Sequence, residues 1–532
     1  MHACENAKSL VEDQDLLRKL QRCRDLSCAT KGQHSLNRNF AASNGASGIL
    51  EFIRTRSWRF PFFPGLTVSR FRGVFWNFLR LNLAALLLGA LLVWSSCAPL
   101  GVPPHAEGPI VRVLLSYVRH AATFELASPA SAGVDGHRFR VRLAPGLYRV
   151  VVERGLAETP FTSGGANGLA ALLPLHGPVE STTRWPAGDI AIRLEDGRGQ
   201  TVVRAQRELL VVASRVKLSE PEDTFPGELV FVVDGRQIAV VNRLPLESYL
   251  KGVVPAEMWG SAPEEALKAQ AVVARSTAWV LLKRRRAGSP YDFCSSEQCQ
   301  VYRGVSVWSR ATSRAVRQTW GEVLSLRGKV CEAPYSAVCG GHTEDASLVW
   351  SGEQQPYLRG VLDASLVARL DLTDEGTLRR WLSAKPRVFC SPDLSDDPSA
   401  RQYFRWRVRV SEKEIRQRIR TETGVDVGRP LEIRVVRRGV SGRALSVLVF
   451  GPLGRVKIKG ELRVRRLLSR KALPSSCFLV TRKGSGFEFT GAGFGHGVGL
   501  CQAGAVGMAG AGRSYRDILE HYYPGTGVAR KY

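Results

Sequence analysis

A chain of 532 residues with 44% hydrophobic content holds enough apolar material for roughly two to four domains, which excludes a generally disordered polymer. Its formal net charge of +27 attracts polyanions: nucleic acid, an anionic lipid surface or an acidic wall polymer. No zinc-finger spacing, aromatic RNP strand or basic zipper accompanies that charge, so nucleic acid is the least supported of the three, and the basic runs at 283–286 and 463–471 read more readily as solvated faces than as binding sites.

Residues 1–66 are polar and aperiodic, and they read as a leader outside the fold, as a translation start assigned too far upstream would produce, with Val74 or a nearby codon as initiator. Residues 67–97 carry Arg70, Arg72 and Arg80 ahead of an apolar run at 83–94, followed by Ser95, Ser96 and Cys97. About twelve apolar residues are short for a membrane span and suit a signal-peptide core. The small residues before Cys97 resemble a lipoprotein processing site, although Trp94 departs from the aliphatic residue such sites carry. A cleaved signal, a lipid anchor and an uncleaved anchor all fit. Each places the remaining chain outside the cytoplasm, in the cell envelope, with membrane association through this segment.

After a linker at 99–104, the stretch 98–229 is β-rich, and a Gly- and Ala-rich patch interrupts it at 163–172. Short alternating segments recur: IVRVLLSYV (110–118), HRFRVRL (137–143), LYRVVVE (147–153), DIAIRLE (189–195), GELVFVV (227–233) and RQIAVVN (236–242). A mixed α/β domain is expected over 230–532, with a less characteristic segment at about 366–430, so the fold class is α+β.

That domain opens on LPLESYLKGVVPAEM (244–258), which sets Glu257 among Val253, Val254, Pro255, Ala256, Met258 and Trp259. A carboxyl in apolar company loses solvation, its charged form is disfavoured and its pKa rises, as a general acid requires. The segment reads as a loop. A long helix follows, with Ser261 as N-cap, Pro263 in its first turn, Glu264 closing a capping box, and Ala266, Leu267, Gln270, Ala271, Ala274 and Ala278 at helical spacing. Further on, a helix starts at Ser411 with a capping box through Glu414, strands at 431–437 and 444–450 join through Gly439-Val440-Ser441-Gly442, and a short helix runs over 514–523.

Together, LPLESYLKGVVPAEM, EALKAQAVVARS (265–276), CQVYRG (299–304), YSAVCGGHTE (335–344), RRGVSGR (437–443), LPSSCF (473–478) and GFGHGVGLCQAGA (493–505) resemble the SpoIID/LytB family, the stage II sporulation protein D and amidase-enhancer group, over about 230–532. The resemblance implies action on peptidoglycan in the bacterial envelope. It implies either a lytic transglycosylase that cuts peptide-stripped glycan strands or a non-enzymatic wall-binding protein that enhances an amidase partner. Glu257 falls on the catalytic glutamate of the enzymatic members. Arg275, Gln300, Tyr302, His342, His496 and Gln502 fall on other recurrent positions, as substrate-binding candidates. For Arg275 and His496, helix capping or loop hydrogen bonding is an equal alternative.

A lytic transglycosylase needs one carboxyl group, because the substrate's own 6-hydroxyl is the nucleophile; a hydrolase that activates water uses two. No cofactor is required for that chemistry. The resemblance also implies a structural zinc in some relatives, held by cysteines and a histidine near the segment matching 294–299. Gln298 stands here where that histidine is expected, leaving Cys294, Cys299 and, as a substitute ligand, Cys339 or His342; a Cys294–Cys299 disulfide or two buried thiols fit the same residues.

Overall fold

The computed structural model of the protein describes residues 108–134, 140–154, 190–205, 207–235, 237–284, 288–350, 352–365 and 370–532. The leader, the signal-like segment with Cys97, the linker, the patch at 163–172 and part of the basic run at 283–286 lie outside the described residues.

Among the described residues the β-rich region forms ten strands, six of them at the alternating segments: β1 (Ile110–Val118), β2 (Ala121–Leu126), β3 (Ala130–Gly133), β4 (Arg140–Leu143), β5 (Gly146–Arg154), β6 (Ile190–Asp196), β7 (Thr201–Ala205), β8 (Glu208–Leu218), β9 (Asp223–Asp234) and β10 (Gln237–Pro245). Alternation sets their faces: Ala122, Phe124 and Leu126 of β2 point inward, as do Val141 and Leu143 of β4 between outward arginines. They build one eleven-stranded sheet that runs β1-β10-β9-β8-β2-β5-β6-β7, with β3 between β8 and β4 and the short strand Phe293–Cys294 parallel to β1 on its outer side. The expected boundary at 229/230 falls inside β9, which pairs with β10 from Glu228↔Arg243 to Asp234↔Gln237. The β-rich region and the C-terminal half therefore share a sheet.

β10 runs straight into α1 (Leu246–Glu257), where the sequence suggested a loop. Leu246, Tyr249, Leu250, Val253 and Val254 recur at helical spacing and are fully buried. That apolar stripe outweighs the helix-breaking tendency of Gly252 and Pro255. The next helix, α2, spans Glu264–Lys283, with Pro263 in the N-cap place and no side-chain cap. Ser261 does not cap it, because Pro263 is held extended and the helix can begin only after it. Alanines at 269, 271, 274 and 278 are fully buried, and their small size lets α3 (Arg310–Gln318) and the helices Gln502–Gly510 and Tyr515–Tyr522 pack against α2.

Farther along, two three-stranded antiparallel sheets, Trp406–Ser411 with Gly486–Gly491 and Phe478–Lys483, and Glu432–Arg438 with Ala444–Gly451 and Gly454–Lys459, enclose a separate core with helices Glu412–Thr423 and Glu461–Leu468. Ser411 caps the first of these helices through the Glu414 N–H, but the Glu414 carboxylate accepts the Arg470 N–H instead of closing a box. The box does form at Ser514, through Asp517. Helices combined with largely antiparallel sheets make the described chain α+β. No described helix is long and apolar enough to cross a membrane.

Candidate functional site

Glu257 is the last residue of α1, half-buried, with the chain turning extended at Met258. Its Oε1 accepts the Val301 N–H at 2.8 Å. The Tyr335 hydroxyl hydrogen-bonds the same carboxyl group and reaches Gln300 Oε1 at 3.1 Å. Having one proton to give, this hydroxyl can donate to Gln300 while it accepts from a protonated Glu257, or donate to the carboxylate. On the other side, Gln502 Nε2 donates to the Glu257 carbonyl at 3.0 Å and to Gln270 Oε1 at 3.3 Å.

Burial, the leading cause, raises the Glu257 pKa; the Val301 N–H and the Tyr335 hydroxyl pull it back, and the charge of exposed Glu297 raises it again. Its place at a helix C-terminus, the negative end of the dipole, acts in the same direction as burial. The net result is a carboxyl that holds its proton to higher pH than an ordinary glutamate, with one oxygen fixed by a backbone donor.

Of the residues singled out in the sequence, the structure brings Gln502 to Glu257 directly and Gln300 to it through the Tyr335 hydroxyl. Arg275 lies elsewhere: it is fully buried, its Nε and Nη2 bond the Glu247 carboxylate at 2.6 and 2.8 Å, and Nη1 and Nη2 bond the Glu322 and Val316 carbonyls. The Tyr532 hydroxyl adds a bond to Glu247 Oε1 at 2.5 Å. This guanidinium joins α1, α2, α3 and the C-terminus and faces no ligand surface. Tyr302 is also interior; its hydroxyl donates to Asn242 Oδ1 at 2.7 Å and its ring packs on Tyr249. His342 is buried with Nδ1 at 2.7 Å from the Thr343 carbonyl, and burial lowers its pKa.

Half-buried His496 accepts the Val498 N–H on Nδ1 and packs against Trp350 at 4.9 Å. Desolvation and then the nearby charges of Arg443 and Arg465 push its pKa down to about 3, so the ring is neutral. The glycines beside it serve packing: a side chain on Gly497, whose φ is +76°, would collide with the buried Arg443 guanidinium. Arg443 in turn bonds Ser441 Oγ and the Cys339 carbonyl. The RRGVSGR segment wraps buried Glu344, whose carboxylate accepts from the Val440 and Ser441 N–H groups and the Ser441 hydroxyl.

Sequence reasoning missed Tyr335, the Val301 N–H and Gln270. Tyr335 opens the YSAVCGGHTE segment, but a tyrosine in the two-residue strand Tyr335–Ser336 has neither periodicity nor charge to mark it.

Cys294 and Cys299 place their sulfurs 2.9 Å apart. Cys339 is not with them; it lies inside the C-terminal half beside Asp363, Cys390 and Cys501. Thiolates on one tetrahedral zinc stand about 3.7 Å apart, as bonds of about 2.3 Å require. With closer sulfurs, Gln298 in place of a histidine, and no third ligand grouped with the pair among the described residues, Cys294 and Cys299 do not fit the zinc set expected there.

Residues 234–326 match a family model described as "Stage II sporulation protein", and residues 344–499 match one described as "Domain of unknown function (DUF8618)". An uncharacterized protein of Brachyspira hyodysenteriae is 32% identical over 302 residues, spanning 57% of this chain and 71% of that one. The chain belongs to the SpoIID/LytB family. Within that family, the stage II sporulation protein D of Bacillus amyloliquefaciens is 29% identical over 305 residues, 54% of this chain and 75% of its own length. The amidase enhancer of Bacillus subtilis is 29% identical over 288 residues, 52% of this chain but only 40% of that longer protein. The SpoIID match takes in α1, α2 and the Val301 N–H contact to Glu257, while Tyr335 and Gln502 lie outside both matched segments.

Proposed function

We propose that this protein acts outside the cytoplasm on peptidoglycan and cuts its glycan strands as a lytic transglycosylase, with Glu257 as the single acid–base. The carrying observation is the half-buried carboxyl at the end of α1, its pKa raised by desolvation and one oxygen held by the Val301 N–H. The protonated oxygen gives its proton to the glycosidic oxygen as the bond from the muramyl C1 breaks. The resulting carboxylate takes the proton of the substrate's 6-hydroxyl, whose oxygen closes onto C1 to leave a 1,6-anhydromuramyl end. Intramolecular attack supplies proximity that the protein would otherwise have to arrange. Tyr335 and Gln300 orient the carboxyl, and Gln502 fixes the helix end that carries it. Relatives named for sporulation and for enhancing an amidase support a wall substrate and an amidase partner. The protein's +27 charge suits a wall that bears carboxylates.

The test incubates the full chain with peptide-free and with intact glycan strands, beside Glu257→Gln, and identifies products by mass spectrometry. Anhydromuramyl ends are expected from the native protein, with a loss of about 10²–10⁴-fold in the variant. Folded protein that binds wall and cleaves neither substrate would establish the non-enzymatic amidase enhancer instead.

A further inference from the structure

We propose that Cys339, Cys390, Cys501 and Asp363 form a tetrahedral site for one zinc ion, distinct from the Cys294–Cys299 pair and placed directly behind the partners of Glu257. The four side chains come from four separate stretches of chain, yet their ligand atoms all lie within 4.8 Å of one another. All are buried, Cys390, Cys501 and Asp363 completely and Cys339 to within 2%. The Cys339 and Cys390 sulfurs are 3.6 Å apart, and the Cys339 sulfur is 3.3 Å from Asp363 Oδ2. Zinc bonds of about 2.3 Å to sulfur and about 2.1 Å to oxygen set tetrahedral edges of about 3.7 and 3.6 Å, so only small movements would close the four groups onto an ion. A disulfide between Cys339 and Cys390 would need their sulfurs about 2.0 Å apart, and with three cysteines present it would leave one unpaired.

The surroundings are those of a metal–thiolate centre. The Cys501 sulfur accepts from the Cys339 and Gly504 N–H groups at 3.1 and 3.4 Å, and the Cys339 sulfur accepts from the Gly341 N–H at 3.4 Å. Asp363 is oriented by the Cys390 N–H at 2.9 Å and by the Tyr522 hydroxyl at 2.5 Å. Such donors fix ligand geometry and spread the charge of bound thiolates. Four anionic ligands exceed the charge of a divalent ion, and two guanidiniums offset the excess: Arg405 bonds the Gly340 carbonyl and Arg443 the Cys339 carbonyl. Three sulfurs and one carboxylate favour zinc over magnesium or calcium, which take oxygen shells.

The placement gives the ion a structural task. Cys501 caps the helix that begins at Gln502, the residue bonded to the Glu257 carbonyl, and Cys339 lies four residues after Tyr335. An ion here would tie both contacts to one rigid centre. Binding would deprotonate the three thiols and release their protons to solvent.

The experiment purifies the full chain from zinc- and, separately, cobalt-supplemented medium, measures metal per chain, records the cobalt spectrum, and maps cysteine alkylation by mass spectrometry with and without chelator. About one metal ion per chain is expected, with the charge-transfer and intense visible bands of tetrahedral thiolate-bound cobalt. Cys339, Cys390 and Cys501 should resist alkylation until chelator is added. Cys294→Ser with Cys299→Ser should retain the ion and spectrum, and Cys390→Ser with Cys501→Ser should lose both. Should the latter fail to fold, Asp363→Asn and the alkylation map of the native chain decide the same question. Native protein without metal, metal retained when Cys390 and Cys501 are both replaced, or a Cys339–Cys390 disulfide in the native chain would each overturn the proposal.

Discussion

Glu257 is pulled both ways by its neighbours, and the pulls can be separated by substitution. The Glu297 charge raises its pKa and the Tyr335 hydroxyl lowers it. A general acid works in its protonated form, so activity should fall as pH rises through the Glu257 pKa, which sets the alkaline limb of the rate profile. Glu297→Gln removes a repelling charge and should move that limb to lower pH. Tyr335→Phe removes a hydrogen bond that favours the carboxylate and should move it to higher pH. Rate–pH profiles of the two variants on peptide-free glycan check the signs; shifts in the same direction would sink this account. The apolar company of Glu257 was legible in sequence, and burial is the leading cause of its shift. Tyr335 and Gln502 were harder to see as its partners, because their contacts join residues far apart in the chain that no local period connects.

At the scale of elements, α1 and α2 are locked by one buried ion pair. The resemblance made Arg275 a substrate-binding candidate, with a purely structural hydrogen-bonding role as an equal alternative. Burial decides for the structural role: both ends of the Arg275–Glu247 pair are within 1% of complete burial. Removing one partner strands the other charge, so Arg275→Met should cost about 3–5 kcal/mol in urea denaturation. Joint replacement of Arg275 by Met and Glu247 by Leu should recover most of that loss, because no unpaired charge remains. The KM of the folded double variant for glycan should match that of the native protein; a raised KM with unchanged stability would return Arg275 to the substrate. The helical identity of α1 was itself present in the spacing of Leu246, Tyr249, Leu250, Val253 and Val254, but Gly252 and Pro255 argued locally for a break. Tertiary burial of the stripe settled the conflict.

Across the whole molecule, the β-rich region and the motif-bearing half are joined through β9 and β10. The family-like motifs begin near 230 and suggested a boundary there, while strand pairing is a long-range property that motif density does not report. β8 escaped the sequence reading for a related reason: its register shifts between Val212 and Arg215, so alternation restarts in mid-strand and no single period runs its length. β10 shows what the shared sheet is worth. Ile238, Ala239, Val240 and Val241 are all fully buried, so both of its faces are covered, and it pairs with β1 on one side and β9 on the other. Each Val or Ile side chain buried this way contributes about 1.5–3 kcal/mol. Uncovering even three of them, with β1 gone and β9 cut, would remove a large part of a typical net stability of about 5–15 kcal/mol. A chain of residues 230–532 should therefore aggregate or melt without cooperativity, while residues 108–532 should unfold in a cooperative transition. Solubility and thermal melts of the two fragments check this, and cooperative melting of 230–532 at the same Tm would show that the motif-bearing half carries its own complete core.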